Sequence, residues 1–415
     1  MNERPHSTSA VDRLCATVAA DPNASAVGET FDLVSEAGIA DRYRLAKALD
    51  RIVAVDPSAV DEILDRVEPL IRSERSDDRR FATIVLEQVA GRAPARAASI
   101  VDHHLSDVVA DDDLFVRRHA VWALAHVSDH DPAGVAPLVP KLEPGPERPP
   151  FFEYEHILLI ARNVGQVDPD AIVGLVPSLF EVLSVADSFV GNDGMDEEPE
   201  GGDPLLWLDE FKTAIEPGMT AASVLAELSA ARPDAITEYV ADAADVLQTV
   251  SRVTVRRDVV EALSSLATDH PAAVQPAIGA LAAQLESRDD VLQARAARAL
   301  GLAYDAAPEA VAASVVDSLS SLEPLLRNSD PAVRVAVASL YSCVAETDPD
   351  AVAPFEDALI ASLDTDQETV LASVAMTLGL LGTDDAIDAI EELLSRELDP
   401  SLEVAIRHAL DGADP

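Results

Sequence analysis

The chain has 415 residues, of which 75 are acidic and 30 basic, giving a formal net charge of −45. That length exceeds one ordinary core and suits a few domains or one elongated array. Hydrophobic residues make up 48% but aromatics only 4%, a mix of Ala, Val and Leu that favours close-packed helices over a β-sandwich.

The two cysteines, Cys15 and Cys343, lack Cys-x-x-Cys spacing, which argues against a disulfide framework or a cysteine zinc site. The first residues, "MNERPHSTSAVDRL", hold no apolar signal region, and no run of about 18 apolar residues follows. A cytoplasmic location without membrane insertion is therefore expected. The negative charge is spread along the chain, and the only lysines are Lys47, Lys141 and Lys212. Such a surface disfavours nucleic acid as a partner, because phosphate contacts need cations and weaken steeply in salt.

In chain order, a capping helix is expected over residues 1–20, with its body near 8–20. Helical repeats are expected over 21–185, punctuated by Pro57, Pro94, Pro132 and Pro169 at spacings of 37, 38 and 37. The next spacing, to Pro233, is 64. Pro271, Pro308 and Pro349 then follow at 38, 37 and 41. Such a period predicts an array of two-helix units. In "PDAVAPFEDALIASL" (349–363), Val352, Phe355, Leu359 and Leu363 fall on one helical face. In "DPAVRVAVASLYSCVAE" (330–346), Val333, Val337, Leu340 and Val344 do the same. Asp before Pro reads as an N-cap followed by proline at the first helical position. A second proline five residues later, at Pro137, Pro276 and Pro354, predicts a kink or a displaced start.

The excess between Pro169 and Pro233 is assigned to an insertion over 186–216. It comprises an acidic loop, "DSFVGNDGMDEEPEGGDP" (187–204), and an extra amphipathic helix, "LLWLDEFKTAI" (205–215). Repeats resume over 217–415 and end in a C-terminal cap. The expected fold is all-α: one solenoid, residues 1–415, of about ten helix pairs plus the N-terminal capping helix.

"LEPLLRNSDPAVRVAVASL" (322–340) and "IGALAAQLESRDDVLQARAARALG" (278–301) resemble HEAT repeats, of the armadillo-like class. The shared pattern is a helix with an internal proline, an Asp-bearing turn and Val-Arg opening a second helix. The resemblance covers almost the whole chain and is looser near 57–110. It implies a scaffold or adaptor. The acidic, lysine-poor composition is similar to haloarchaeal proteins, which work in molar salt.

Arg42, Arg79, Arg117, Arg256 and Arg334 each lie fifteen residues before their repeat's proline, so they should stack in a row. A structural ladder with Asp partners is preferred over a basic binding strip. Asp113 and Asp330 stand four residues before Arg117 and Arg334, a spacing suited to helical pairs.

Near the period's break, Phe115, Trp122, Phe151, Phe152, Tyr154, Phe180, Phe189, Trp207 and Phe211 gather nine of the sixteen aromatics. Trp122, Phe151, Phe152, Tyr154, Trp207 and Phe211 are candidate interface anchors; the alternative is core filling. His119, His126 and His130 are placed along one helix side. His156, repeat-equivalent to His119, should face it across a helix gap. These four histidines join the candidate contact zone at 115–215. No His-Glu pair, Gly-x-Gly-x-x-Gly, Gly-Lys or Gly-x-Ser-x-Gly occurs, so neither a cofactor nor a catalytic residue is assigned.

The leading expectation is a non-enzymatic scaffold for a protein or peptide. Two alternatives come from other classes. One is a DNA-associated repeat protein with an unneutralised arginine strip. The other is an enzyme with a His/Glu site near 119–156.

Overall fold

The computed structural model of the chain describes residues 9–100, 105, 108–142, 151–186 and 215–412. Every regular element among them is helical. Among the described residues, a leading helix, α1 (Ala10–Ala20), is followed by helices that alternate as first and second members of pairs. The second helices of the pairs are α2 (Ile39–Val55), α3 (Ser76–Arg92), α4 (Leu114–Ser128), α5 (Phe151–Gly165), α6 (Ile215–Ala231), α7 (Val253–Asp269), α8 (Asp290–Tyr304), α9 (Pro331–Thr347), α10 (Glu368–Leu381) and α11 (Pro400–Gly412).

The chain forms two compact units, Met1–Ser178 and Leu179–Pro415. In the first, α1 to α5 pack successively, each on the next. In the second, α6 to α11 do the same. Within each unit first helices pack on second helices: Val60–Ile71 lies on α3, and Ile278–Gln284 on α8. Packing between sequence neighbours in this way is solenoid-like. Of the acidic loop and extra helix expected over 187–215, residues 187–214 lie outside the described residues, and Ile215 opens α6 instead of ending an extra helix.

The punctuation works by local chemistry. The carboxylates of Asp56, Asp131, Asp168 and Asp348 accept from Ser58, Gly134, Ala171 and Ala351 N–H, at 3.1, 3.0, 3.4 and 3.2 Å. Each satisfies an orphan donor, and the following proline has no N–H to satisfy. At the leading helix, Ser9 and Asp12 exchange side-chain and backbone bonds as a capping box.

The first helices are broken early. Pro132–Val135 runs into a 3-10 segment, Ala136–Lys141, and Pro271–Ala277 is 3-10 before Ile278–Gln284. The same break occurs at Val173–Leu175 and Val316–Ser318, where no second proline stands. It is thus a property of the repeat that proline tolerates. Tyr341, fully buried, donates to the Leu319 carbonyl just after one break, at 2.6 Å.

Core positions follow the helical stripe: Leu45, Ile52, Phe81, Leu86 and Leu124 in the first unit, Leu263, Leu300, Leu340 and Leu378 in the second. Alanines such as Ala262, Ala296, Ala299 and Ala338 let neighbouring second helices approach closely.

Candidate functional site

Four of the five row arginines, Arg42, Arg79, Arg256 and Arg334, join their repeat to the next, while Arg117 bonds within its own. Arg42 is buried; its Nη1 donates to Asp78 at 2.8 Å and its Nε to the Ala37 carbonyl at 3.0 Å. Arg79 grips Asp111 with Nε at 2.6 Å and Nη2 at 3.1 Å, and its Nη1 reaches the Ser73 carbonyl at 2.8 Å. Arg117 donates to the Asp111 carbonyl. Arg256 and Arg334 use amides instead, Gln284 at 3.0 Å and Gln367 at 2.8 Å. The i,i+4 pairs are not formed. Asp113 caps Phe115 N–H and accepts from Arg80 at 2.7 Å, while Asp330 caps Ala332 N–H. An N-cap carboxylate turns back over its helix start, away from the side chain one turn on.

A second arginine row therefore exists one residue along. Arg80 binds Asp113 and Arg257 binds Asp289, each joining the N-cap of the next second helix. The Arg-Arg doublets at 79–80, 117–118 and 256–257 carried that signal in the sequence. Arg295 extends the network to Asp258 at 3.4 Å and Glu261 at 3.5 Å. Burial tends to raise the Asp78 and Asp111 carboxyls, but hydrogen bonds from Arg42 and Ser73, and from Arg79 and the Asp113 N–H, outweigh it and lower both. Arg257 lowers Asp289. Burial raises Asp258, and Arg295 only partly offsets it.

In the first unit, α4 and α5 bring three of the candidate residues together. Trp122 meets His119 edge-on at 5.3 Å and stacks on His156 at 4.9 Å, with Arg118 over its ring at 4.3 Å. The indole thus stands between the two histidines. His119 Nδ1 is 2.5 Å from Glu87 Oε2 on α3. Trp122 is half-buried, and its Nε1 has no hydrogen-bond partner among the described residues. α4 ends at Ser128, so His130 stands in the turn beyond, off the helix face that carries His119 and His126. His126 is exposed and rests against Gly91 of α3. Phe151, Phe152 and Tyr154 open α5, but their side chains lie outside the described residues, as do Trp207 and Phe211 altogether. Phe115 is 55% exposed, with Arg80 5.3 Å above its ring. Phe180 is buried, 5.8 Å from the Tyr239 ring. Among the described residues, no group of three or more His, Cys, Asp or Glu is placed to hold a metal ion, and no helix is long and apolar enough to cross a membrane.

The second unit holds a feature that the sequence reading missed. Between α8 and α9 lies an open groove of about 600 Å³. Its floor is Ala297, Gly301, Val335, Ala336, Ser339 and Cys343, with Arg298 and Leu302 at the edge and Gln367 at one end. Burial pushes the Cys343 thiol up to about 12, with Glu346 and Asp305 adding to the effect. The mid-helix glycine in "ARALGLAY" was the available signal.

These features define a class: an all-α array of paired helices with solenoid-like neighbour packing. The chain is similar over 94% of its length, and 99% of the other's, to an engineered protein whose crystal structure was determined by the Northeast Structural Genomics Consortium, at a TM-score of 0.58 and 19% identity. At that identity the likeness speaks to fold alone. Two further engineered proteins from the consortium match 57% of the chain at TM-scores of 0.41 and 0.42, with 20% and 21% identity, covering 98% and 96% of their own lengths. Those scores carry no argument. No protein-family model matches the sequence, and no curated protein matches it.

Proposed function

We propose that the chain is a non-enzymatic, HEAT-like scaffold that receives a protein or peptide on its rows of second helices. The observation that carries this reading is the contrast along the row α7–α9. Arg257, Arg295 and Arg298 face Asp289, Asp258 and Glu261, while the adjoining groove is open and largely apolar. An open apolar groove gains from covering, and in molar salt that gain persists while charge attraction is screened. The same pairing argues against a DNA partner, which needs guanidinium groups free for phosphate. The zone near 115–215 belongs to the proposal as a second contact region. There Phe115 and His126 are exposed, and Trp122 and His156 are half-buried.

Photo-crosslinking in molar salt tests the reading. A photoreactive residue would replace Arg162 of α5 or Leu302 of α8, with a control at Asp317 among the first helices. Discrete adducts from the second-helix positions, absent from the control, are expected. Equal adduct patterns at all three positions would remove the proposal.

A further inference from the structure

We propose that the α8–α9 groove is a seat for one helix of a partner protein, amphipathic and carrying basic side chains at the end that lies over Asp305 and Glu346. The inference rests on the scaffold reading and names the chemistry of its partner.

Four observations lead there. First, the groove runs between two packed helices from Ala332 to Cys343, a rise of roughly 17 Å, or three turns. A third helix laid along two others matches that shape. Second, Gly301 has no structural reason to be glycine. It stands inside α8, the positive-φ glycine among the described residues is Gly382, and a Cβ at Gly301 would meet nothing within 4 Å. Glycine there costs about 1 kcal/mol against alanine and keeps the floor low, so an incoming backbone can approach. Third, the Tyr304 hydroxyl and Thr347 Oγ1, 2.5 Å apart, tie the C-terminal ends of α8 and α9 together. Asp305 and Glu346 are thereby gathered at the Cys343 end of the groove, where the thiol feels both. Fourth, both carboxylates are exposed and neither enters an ion pair among the described residues, unlike Asp258, Glu261 and Asp289 further along the row. Two helix C-termini add partial negative charge at the same place. A second copy of this chain, with its net charge of −45, is a poor complement to that end.

The test uses the full chain and two synthetic 14-residue helical peptides. Both carry a leucine and alanine stripe; one has three lysines in its last turn, the other three glutamates. Fluorescence anisotropy should show the lysine peptide binding at least tenfold more tightly, with helical circular dichroism gained on binding. Gly301→Phe, whose ring enters open space and whose helix propensity improves, should weaken that binding at least tenfold while the fold is kept. D305N/E346Q should bring the two peptides within threefold of each other. Equal binding of both peptides to the unmodified chain, no binding at millimolar concentration, binding without helix gain, or a Gly301→Phe variant that binds as before would each overturn the proposal. So would a dimer, seen by light scattering, that Gly301→Phe dissolves. If crosslinked adducts persist on the second helices of the Gly301→Phe variant, the scaffold reading stands and this groove is not its site.

Discussion

Asp111 and Asp61 both accept from arginine, yet their environments differ. The Asp111 side chain is 9% exposed and held by two guanidinium nitrogens of Arg79. Asp61 is 63% exposed, and so is its partner Arg96. Removing one member of a largely buried pair strands the other, whereas exposed pairs are screened and entropically costly to hold. Asp111→Asn should therefore cost about 2 kcal/mol, and Asp61→Asn no more than about 0.5 kcal/mol. Urea titrations of both variants check the contrast; equal costs would contradict it. The direction in pH follows from the same bonds. Asp78, Asp111 and Asp289 titrate below their unfolded value near 4. Between the two values only the unfolded chain binds the proton. Their contribution is thus complete above about pH 4 and is lost as pH falls through the folded values. Asp111→Asn should flatten that acid limb, read as the melting midpoint from pH 6 to pH 3. Cys343 gives a separate test. With its thiol pushed up to about 12, its thiolate at pH 8 is scarcer by roughly a thousandfold than in an unfolded chain. In a Cys15→Ser background, iodoacetamide should alkylate the folded protein correspondingly more slowly than the denatured one. Similar rates would show that burial does not govern this thiol.

Element boundaries follow from a few residues each. Gly379 stands in the last turn of α10, where a Cβ would run into the Ala409 carbonyl oxygen of α11. Alanine is the better helix former by about 1 kcal/mol, but a backbone carbonyl cannot swing aside as a side chain can. Gly379→Ala should lower the melting midpoint and raise amide exchange in α11 more than in α7, measured by hydrogen exchange with mass spectrometry. A rise in midpoint would mean that propensity wins and the contact yields. The caps were legible because Asp-Pro states its own local chemistry: Asp56, Asp168 and Asp348 accept where the spacing put them. Helix pairing was legible from period and stripe. The partners of the arginines were less so. Asp113 four residues before Arg117 looks like a pair in sequence, yet the N-cap role turns it toward Arg80, a preference decided between repeats. The groove was illegible for a related reason. Its lining of Ala, Gly, Ser and Val has the composition of any helix contact, so nothing in the sequence marks it as open. Trp122 reads as an anchor from its type, but it gives part of its surface to His156 and Arg118.

At the scale of the whole molecule, charge dominates. A net charge of −45 on 415 residues is spread along the chain, and 30 basic residues are too few to neutralise 75 carboxylates. In dilute buffer the Debye length reaches about 30 Å at 0.01 M salt, so carboxylates several repeats apart repel one another. At 1 M it is about 3 Å, and only charges in contact still interact. The paired arginines are contact interactions, and Arg42–Asp78 and Arg79–Asp111 are also shielded from solvent, so they survive that screening. Apolar burial strengthens in excluded salts. Net stability should accordingly rise with salt: repulsion fades, the ladder persists and the Leu, Val and Ala core gains. Because within each unit every second helix packs on its sequence neighbour, repulsion should loosen a unit repeat by repeat. The expected result is a melting midpoint that climbs steadily from 0.05 to 3 M KCl, with broader transitions at the low end. Replacing KCl by an equal ionic strength of guanidinium chloride should not reproduce the climb, because that cation screens equally while weakening apolar burial. A midpoint that is flat in KCl would show that the acidic surface is neutral toward stability and would remove the molar-salt reading of this composition.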